Sequence, residues 1–343
     1  MKYRFTNDYS EIAHPRILSR LLECQNEQNI GYGFDVHTDN AVKFMKKAFN
    51  CENADIYILN GGTQTNLTVI SYALKPYEAV LACDTGHINV HETGAIEGTG
   101  HKVFTLPNSN GKLTAEDVRK ALQIHIDCHM VKIGMVYVSN STETGTVYTK
   151  KELEELYKVC KENDLYFFID GARLSSALMS KYSDVDPKDM SSLCDVFYAG
   201  GTKIGMTAGE AVIILNDNLK KDFKYHIKNK GALNSKGFIL GIQFEEAFKD
   251  GLYFEMGKKE NELAYYLASE LEKLNVKLAS NVETNQIFIV LDNQIIETLK
   301  QMYGFEMWEV GEHKSIIRLV VSFATKKESV DMLISDLKEI LHK

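Results

Sequence analysis

Proline is scarce in this chain, 4 in 343 residues, and its 23 glycines follow no period, which excludes a collagenous or low-complexity polymer. No apolar stretch approaches the ~18 residues of a membrane span. The longest aliphatic runs, AVIIL and IFIVL, have the length of strands. The opening residues MKYRFTNDYSEIAHP lack the apolar centre of a signal peptide. Basic residues are outnumbered, 39 Lys and Arg against 47 Asp and Glu for a formal charge of -8. A phosphate backbone needs a basic face, so nucleic acid is not an expected partner, and no membrane partner is expected either. The six cysteines (24, 51, 83, 128, 160 and 194) are never paired at the spacing of a zinc or redox motif. They read as reduced core thiols, no metal site is expected, and the expected compartment is the cytoplasm.

What is present is ordinary globular composition, 44% hydrophobic and 25% charged, enough for one large domain and a smaller one. Strand-length apolar runs occur at Ile56–Leu59, Ala79–Cys83, Val103–Leu106, Met135–Ser139, Leu165–Asp170, Val196–Ala199 and Glu210–Leu215. Most are continuous rather than alternating, as in strands covered on both faces. Helix-patterned segments lie between several of them, one opening at Thr114 with Asp117 three residues on and one running from Lys150. This alternation implies an α/β fold with a mixed, mostly parallel, seven-stranded sheet. The connection between the last two strands is too short for a crossover helix, so they are expected to be antiparallel. After about residue 250 the pattern becomes a long helix (Lys258–Lys273), strands at Gln286–Leu291, Phe305–Val310 and Ile316–Phe323, and a closing helix from Lys326. We therefore expect a large domain over residues 1–250, including an N-terminal arm, and a small α+β domain over 251–343.

Three places carry chemistry. Asn60-Gly61-Gly62-Thr63-Gln64-Thr65-Asn66 joins a strand to a helix; its glycines admit a ligand close to the backbone, and the new helix offers free N–H groups to an anion such as phosphate. Asp170-Gly171-Ala172-Arg173 lies just past the strand LYFFI, where α/β sheets place their ligands. Lys203 follows the next strand, flanked by glycines, where partial desolvation lowers an amine's pKa and favours its neutral, nucleophilic form. Each feature alone is also a good turn, a helix cap or a surface lysine. Together, in this order, they supply the anion cradle, the carboxylate for a pyridinium nitrogen and the amine for a Schiff base that pyridoxal 5'-phosphate requires.

The stretches Gly61-Gly62-Thr63-Gln64-Thr65-Asn66-Leu67, Gly86-His87-Ile88-Asn89-Val90-His91-Glu92-Thr93-Gly94, Phe168-Ile169-Asp170-Gly171-Ala172-Arg173-Leu174 and Gly200-Gly201-Thr202-Lys203 resemble the beta-eliminating lyase family. Within it the chain is most similar to low-specificity L-threonine aldolases, which are fold-type-I pyridoxal-phosphate enzymes. The resemblance runs through Ile317-Arg318-Leu319-Val320 near the end. It implies that Lys203 carries the cofactor, Asp170 pairs with its ring nitrogen, and His87 stacks on its face. Gly62, Thr63 and Thr202 would hold the phosphate. Arg173 would lie near the ring oxygen and the substrate carboxylate, with Arg318 as the main carboxylate clamp through two parallel hydrogen bonds.

Tyr32 would either reach a neighbouring subunit's site in a homodimer or homotetramer or serve as an ordinary interface aromatic, and Lys228, Lys230 and Lys236 read as a solvated basic patch rather than as phosphate contacts from across an interface. Two departures stand out: Asn7-Asp8 replaces a Ser-Asp pair, placing Asn7 at the substrate carboxylate, and Ser141-Thr142-Glu143-Thr144-Gly145 occupies a loop that often supplies a histidine. The expected reaction is aldol cleavage of threonine or allo-threonine to glycine and an aldehyde, with Glu143 or His91, or a water held by either, as base for the β-hydroxyl. The alternative is β-elimination releasing pyruvate and ammonia, with Lys203 as base. A catalytically silent cofactor-binding protein is disfavoured by the joint presence of Lys203, Asp170 and Arg318.

Overall fold

Seven strands form the central sheet in the computed structural model, which describes residues 1–108 and 110–341. They are β1 (Asp55–Leu59), β2 (Glu78–Cys83), β3 (Val103–Leu106), β4 (Lys132–Ser139), β5 (Tyr166–Asp170), β6 (Val196–Gly200) and β7 (Glu210–Ile214). Their order across the sheet is β1-β7-β6-β5-β4-β2-β3. Only β7 runs against its neighbours, antiparallel to both β6 and β1; the pairs among β2 to β6 are parallel. The mixed, mostly parallel sheet is therefore as expected, including the antiparallel pair joined by the short Gly201–Gly209 connection.

Strands β2, β6 and β7 are buried along their whole length because successive residues feed two cores on opposite faces. Val136, Val138, Phe167, Ile169 and Phe197 belong to one core, with the helices Val36–Phe49 and Lys150–Glu162. Met135, Tyr137, Phe168, Val196 and Tyr198 belong to the other, under the helix Gly62–Ala73. Each such side chain contributes roughly 1.5–3 kcal/mol by leaving water. The helices between strands begin where the sequence indicates: Thr114 with Asp117 and Thr149 with Glu152 both form reciprocal capping boxes.

A third core gathers Phe5 with Ala264, Leu267, Leu271, Ile287, Ile289, Leu319, Val330 and Leu333. It is built on a second sheet of order β10-β11-β9-β8, from β8 (Lys277–Leu278), β9 (Gln286–Asp292), β10 (Glu306–Glu309) and β11 (Lys314–Val320). The helix expected from Lys258 starts at Leu252, because Gly251 in the left-handed region caps it there. This helix, Leu252–Lys273, carries Tyr253 and Met256 in the first core and Leu267 and Leu271 in the third. The first residues join this part of the molecule: Tyr3–Arg4 pair in parallel with Tyr303–Gly304. Five of the six cysteines are buried, but Cys128 is exposed, on a surface turn rather than in the core. Among the described residues, no helix is long and apolar enough to cross a membrane.

Candidate active site

The site forms where β5 and β6 end. A Cβ on Gly171 would lie 1.8 Å from the carbonyl oxygen of Tyr198, and one on Gly200 would lie 2.5 Å from that of Ala172. The two glycines let the strand exits run in contact, joined by the Gly200 N–H donating to the Gly171 carbonyl at 2.9 Å. Asp170 and Lys203 are thereby brought to one cavity of about 320 Å³. Its walls include Gly61, Gly62 and Thr63, His87 and Glu143, Arg173, Thr202 and Glu210. The helix Gly62–Ala73 has no side-chain cap, so first-turn N–H groups remain available to an anion on the cavity side.

Asp170 is buried and richly solvated by protein. Tyr198 donates to its Oδ1 and Tyr137 to its Oδ2; Asn66 Nδ2 adds a bond at 3.1 Å and the Ala172 N–H another at 3.0 Å. Burial alone would raise this carboxyl, but the charge of His87 and these donors outweigh it and hold the group below the ordinary carboxylate range. Asp170 is thus a fixed anion. His87 Nδ1 sits 2.8 Å from Glu92 Oε1, which also accepts from Asn66 Nδ2 at 2.7 Å. One buried network therefore orients both the ring of His87 and the carboxylate of Asp170.

Glu143 spends one oxygen on structure: Oε1 accepts from the His87 backbone N–H at 3.0 Å and from Ser139 Oγ at 2.6 Å. Its Oε2 is buried without a partner. Burial raises the pKa of this carboxyl, as suits a proton acceptor near neutrality. His91 stands beside His87, ring centres 5.4 Å apart, and burial followed by the His87 charge lowers its pKa.

Lys203 is half-buried, and burial together with the nearby Arg173 charge lowers its pKa. Across from it stands Glu210, which the sequence reading did not single out. Glu210 opens β7 opposite both Gly200 and Leu59 and is therefore at the carboxyl ends of two strands. Its Oε1 accepts from Thr202 Oγ1 at 2.7 Å and its Oε2 from the Gly201 N–H at 3.2 Å. Burial raises its pKa to about 8.

Arg173 Nε and Nη2 donate to Asp8 at 2.6 and 3.1 Å, a buried two-pronged ion pair that Asn285 joins at 3.0 Å. Of the Asn7-Asp8 pair it is Asp8 that meets the site, while Asn7 Oδ1 accepts from the Tyr9 N–H and the Ser10 hydroxyl within its own turn. Arg318 lies on β11 of the small sheet, paired with Glu306 and donating to Gln286 Oε1 at 3.0 Å; its Nε is buried without a partner. Tyr32 is apart from these residues: it lines a separate surface cavity, with Lys228 Nζ 4.7 Å from its ring centre.

Known proteins resemble this chain over nearly its whole length. The family profile described as beta-eliminating lyase matches residues 20–294. The low-specificity L-threonine aldolase of Pseudomonas aeruginosa is 29% identical over 345 residues, covering 98% of this chain and 97% of that protein. A solved structure of threonine aldolase from Leishmania major is 44% identical, covers 99% of each chain and superposes with a TM-score of 0.97. An aspartate aminotransferase from Thermus thermophilus, 14% identical with a TM-score of 0.72, shares the fold over 98% of this chain and 91% of its own.

Proposed function

The chain belongs to the beta-eliminating lyase family, and from that premise we propose that it cleaves threonine or allo-threonine to glycine and an aldehyde with pyridoxal 5'-phosphate as cofactor. The observation that carries this reading is the meeting of Lys203 and Asp170 in one cavity beside an uncapped helix start. An amine of lowered pKa, an ionised buried carboxylate and free N–H groups fit the cofactor's aldehyde, ring nitrogen and phosphate in turn. Lys203 would hold the aldehyde, Asp170 the ring nitrogen, His87 the ring face, and Gly62, Thr63 and Thr202 the phosphate. When bound, the cofactor supplies a cationic ring that accepts the electron pair released at the substrate's Cα.

The protein's own part is orientation and proton transfer. Arg318 is assigned the substrate carboxylate, and Arg173 the same group from the cavity wall. Only the Cα bond perpendicular to the ring overlaps its π system, so the carboxylate clamp selects the bond that breaks. Glu143, through its unpartnered Oε2, is assigned the β-hydroxyl proton as the Cα–Cβ bond opens. Lys203 is the candidate base for Cα–H in the competing elimination.

The division into a large domain and a small C-terminal one is proposed with the helix Leu252–Lys273 as their shared element. Assembly into a homodimer or homotetramer is proposed through the surface bearing Tyr32, Phe34 and Tyr225, which are 41%, 59% and 80% exposed. The six free thiols support a reducing compartment, the cytoplasm. The deciding experiment incubates the cofactor-loaded protein with threonine, allo-threonine and β-substituted amino acids. Glycine with acetaldehyde is expected from the first two; pyruvate and ammonia instead would transfer the reading to β-elimination.

A further inference from the structure

Remote from the Lys203 cavity, the end of one helix, the turn after it and the start of the next converge on three metal-ligating side chains. Cys24 terminates the helix Pro15–Glu23 and is buried. Glu27 follows in the turn, its N–H donating to the Cys24 carbonyl at 3.0 Å. His37 lies in the first turn of the helix Val36–Phe49, buried, with Nε2 2.6 Å from Glu27 Oε2. One ligand atom from each lies within 4.8 Å of the others. The second ring nitrogen, Nδ1, is 2.5 Å from Glu245 Oε2, and Glu245 Oε1 accepts from Asn40 at 2.8 Å. We propose that Cys24, Glu27 and His37 bind one divalent cation of the zinc class, with Glu245 positioning His37.

The donor set decides the class of metal. Thiolate, imidazole and a single carboxylate suit zinc-like ions, whereas calcium and magnesium demand all-oxygen shells. Metal–ligand bonds of about 2.0–2.3 Å place tetrahedral donors roughly 3–4 Å apart. With all three donor atoms already within 4.8 Å of one another, shifts of only about 1 Å are needed, and the 44% exposed side chain of Glu27 is free to make them. Glu245, anchored by Asn40, accepts the Nδ1 proton and so presents Nε2 as the donor atom, the orienting carboxylate typical of metal-bound histidine. Without metal, both ring nitrogens of His37 face carboxylates and carry protons. Loading forms the metal–S, metal–N and metal–O bonds, breaks the Cys24 S–H and His37 Nε2–H bonds, and releases both protons to solvent. Thiolate and carboxylate then balance the dication, and a water completes the shell. The ion would fasten to the second helix the turn that leads into Tyr32.

A second trio, Asp127, Cys128 and His129, is exposed on one turn. The test therefore uses cofactor-loaded protein carrying Cys128→Ser and His129→Ala, stripped with a chelator. Zinc titrated against a chromophoric competitor should bind at one equivalent. Affinity should fall at least tenfold in Cys24→Ser and His37→Gln, and about 10–100-fold in Glu245→Gln, which touches no metal. Cobalt(II) should give a sulfur-to-metal charge-transfer band that Cys24→Ser abolishes; a merely structural His37 network would produce none. Cys24→Ala repeats the comparison if the serine variant fails to fold. Absence of stoichiometric uptake, or uptake unchanged when Cys24 is replaced, overturns the proposal.

Discussion

Glu306 and Arg318 are direct cross-strand partners on β10 and β11 and form an ion pair, so the guanidinium assigned to the substrate carboxylate already has a counter-ion within its own sheet. A substrate must compete with that carboxylate. Replacing Glu306 with Gln removes the competing charge while keeping the side chain's length. The KM for threonine is expected to fall roughly fivefold, about 1 kcal/mol for a partly exposed pair, with kcat little changed. A steady-state KM that stays level or rises would show that Glu306 supports the clamp instead.

Glu143 makes a prediction about pH as well as rate. Its carboxyl must be ionised to take a proton, and its pKa is raised, so the acid limb of kcat should lie above the range of an ordinary glutamate. Activity rises as pH climbs through that value. Glu143→Gln keeps an acceptor for Ser139 and the His87 N–H but cannot take a proton. Turnover of threonine is expected to drop about 10²–10⁴-fold, with the acid limb lost and the cofactor's absorption retained. Unchanged turnover would reassign the base to His91 or to water.

Much of this was legible in the chain, for a physical reason. Asp170 and Lys203 each follow an unbroken apolar run, and such runs are strands covered on both faces, so their ends mark the rim of the sheet. Asp8 was not legible as a partner of Arg173, because 165 positions separate them. Glu210 looked like a charge at the start of a strand; only the placement of β7 between β1 and β6 puts it beside Lys203. The pairing of Tyr3–Arg4 with Tyr303–Gly304 was equally hidden, since two residues carry no period.

Asp8 and Arg173 form a buried pair, and removing one partner leaves the other charge uncompensated. Asp8→Asn is expected to cost about 3–5 kcal/mol in denaturant unfolding. The pH dependence has a definite sign. Burial would raise the Asp8 carboxyl, but Arg173 and Lys203 outweigh it and hold it below 3.8. Its contribution is therefore complete above about pH 4 and lost as pH falls through the folded-state value. The variant should show a shallower decline in stability over that acid range than the parent; equal slopes would remove Asp8 from the account.

Gly171 tests whether the site depends on contact between two strand exits. A methyl group there would fall 1.8 Å from the Tyr198 carbonyl oxygen, and the obstacle is backbone rather than the end of a mobile side chain. The clash can be relieved only by parting the ends of β5 and β6, which stretches the Gly200 to Gly171 hydrogen bond and moves Asp170 away from Tyr198 and the Lys203 segment. Gly171→Ala is therefore expected to lose about 1–3 kcal/mol of stability, the usual cost of overpacking. It should also weaken cofactor retention well beyond that of a variant equally destabilised elsewhere. Leu267→Ala in the third core provides the comparison, being distant from the cavity. Equal cofactor affinity in the two variants, measured at a temperature where both are folded, would mean that the strand exits tolerate separation and that the cavity is held together from another side.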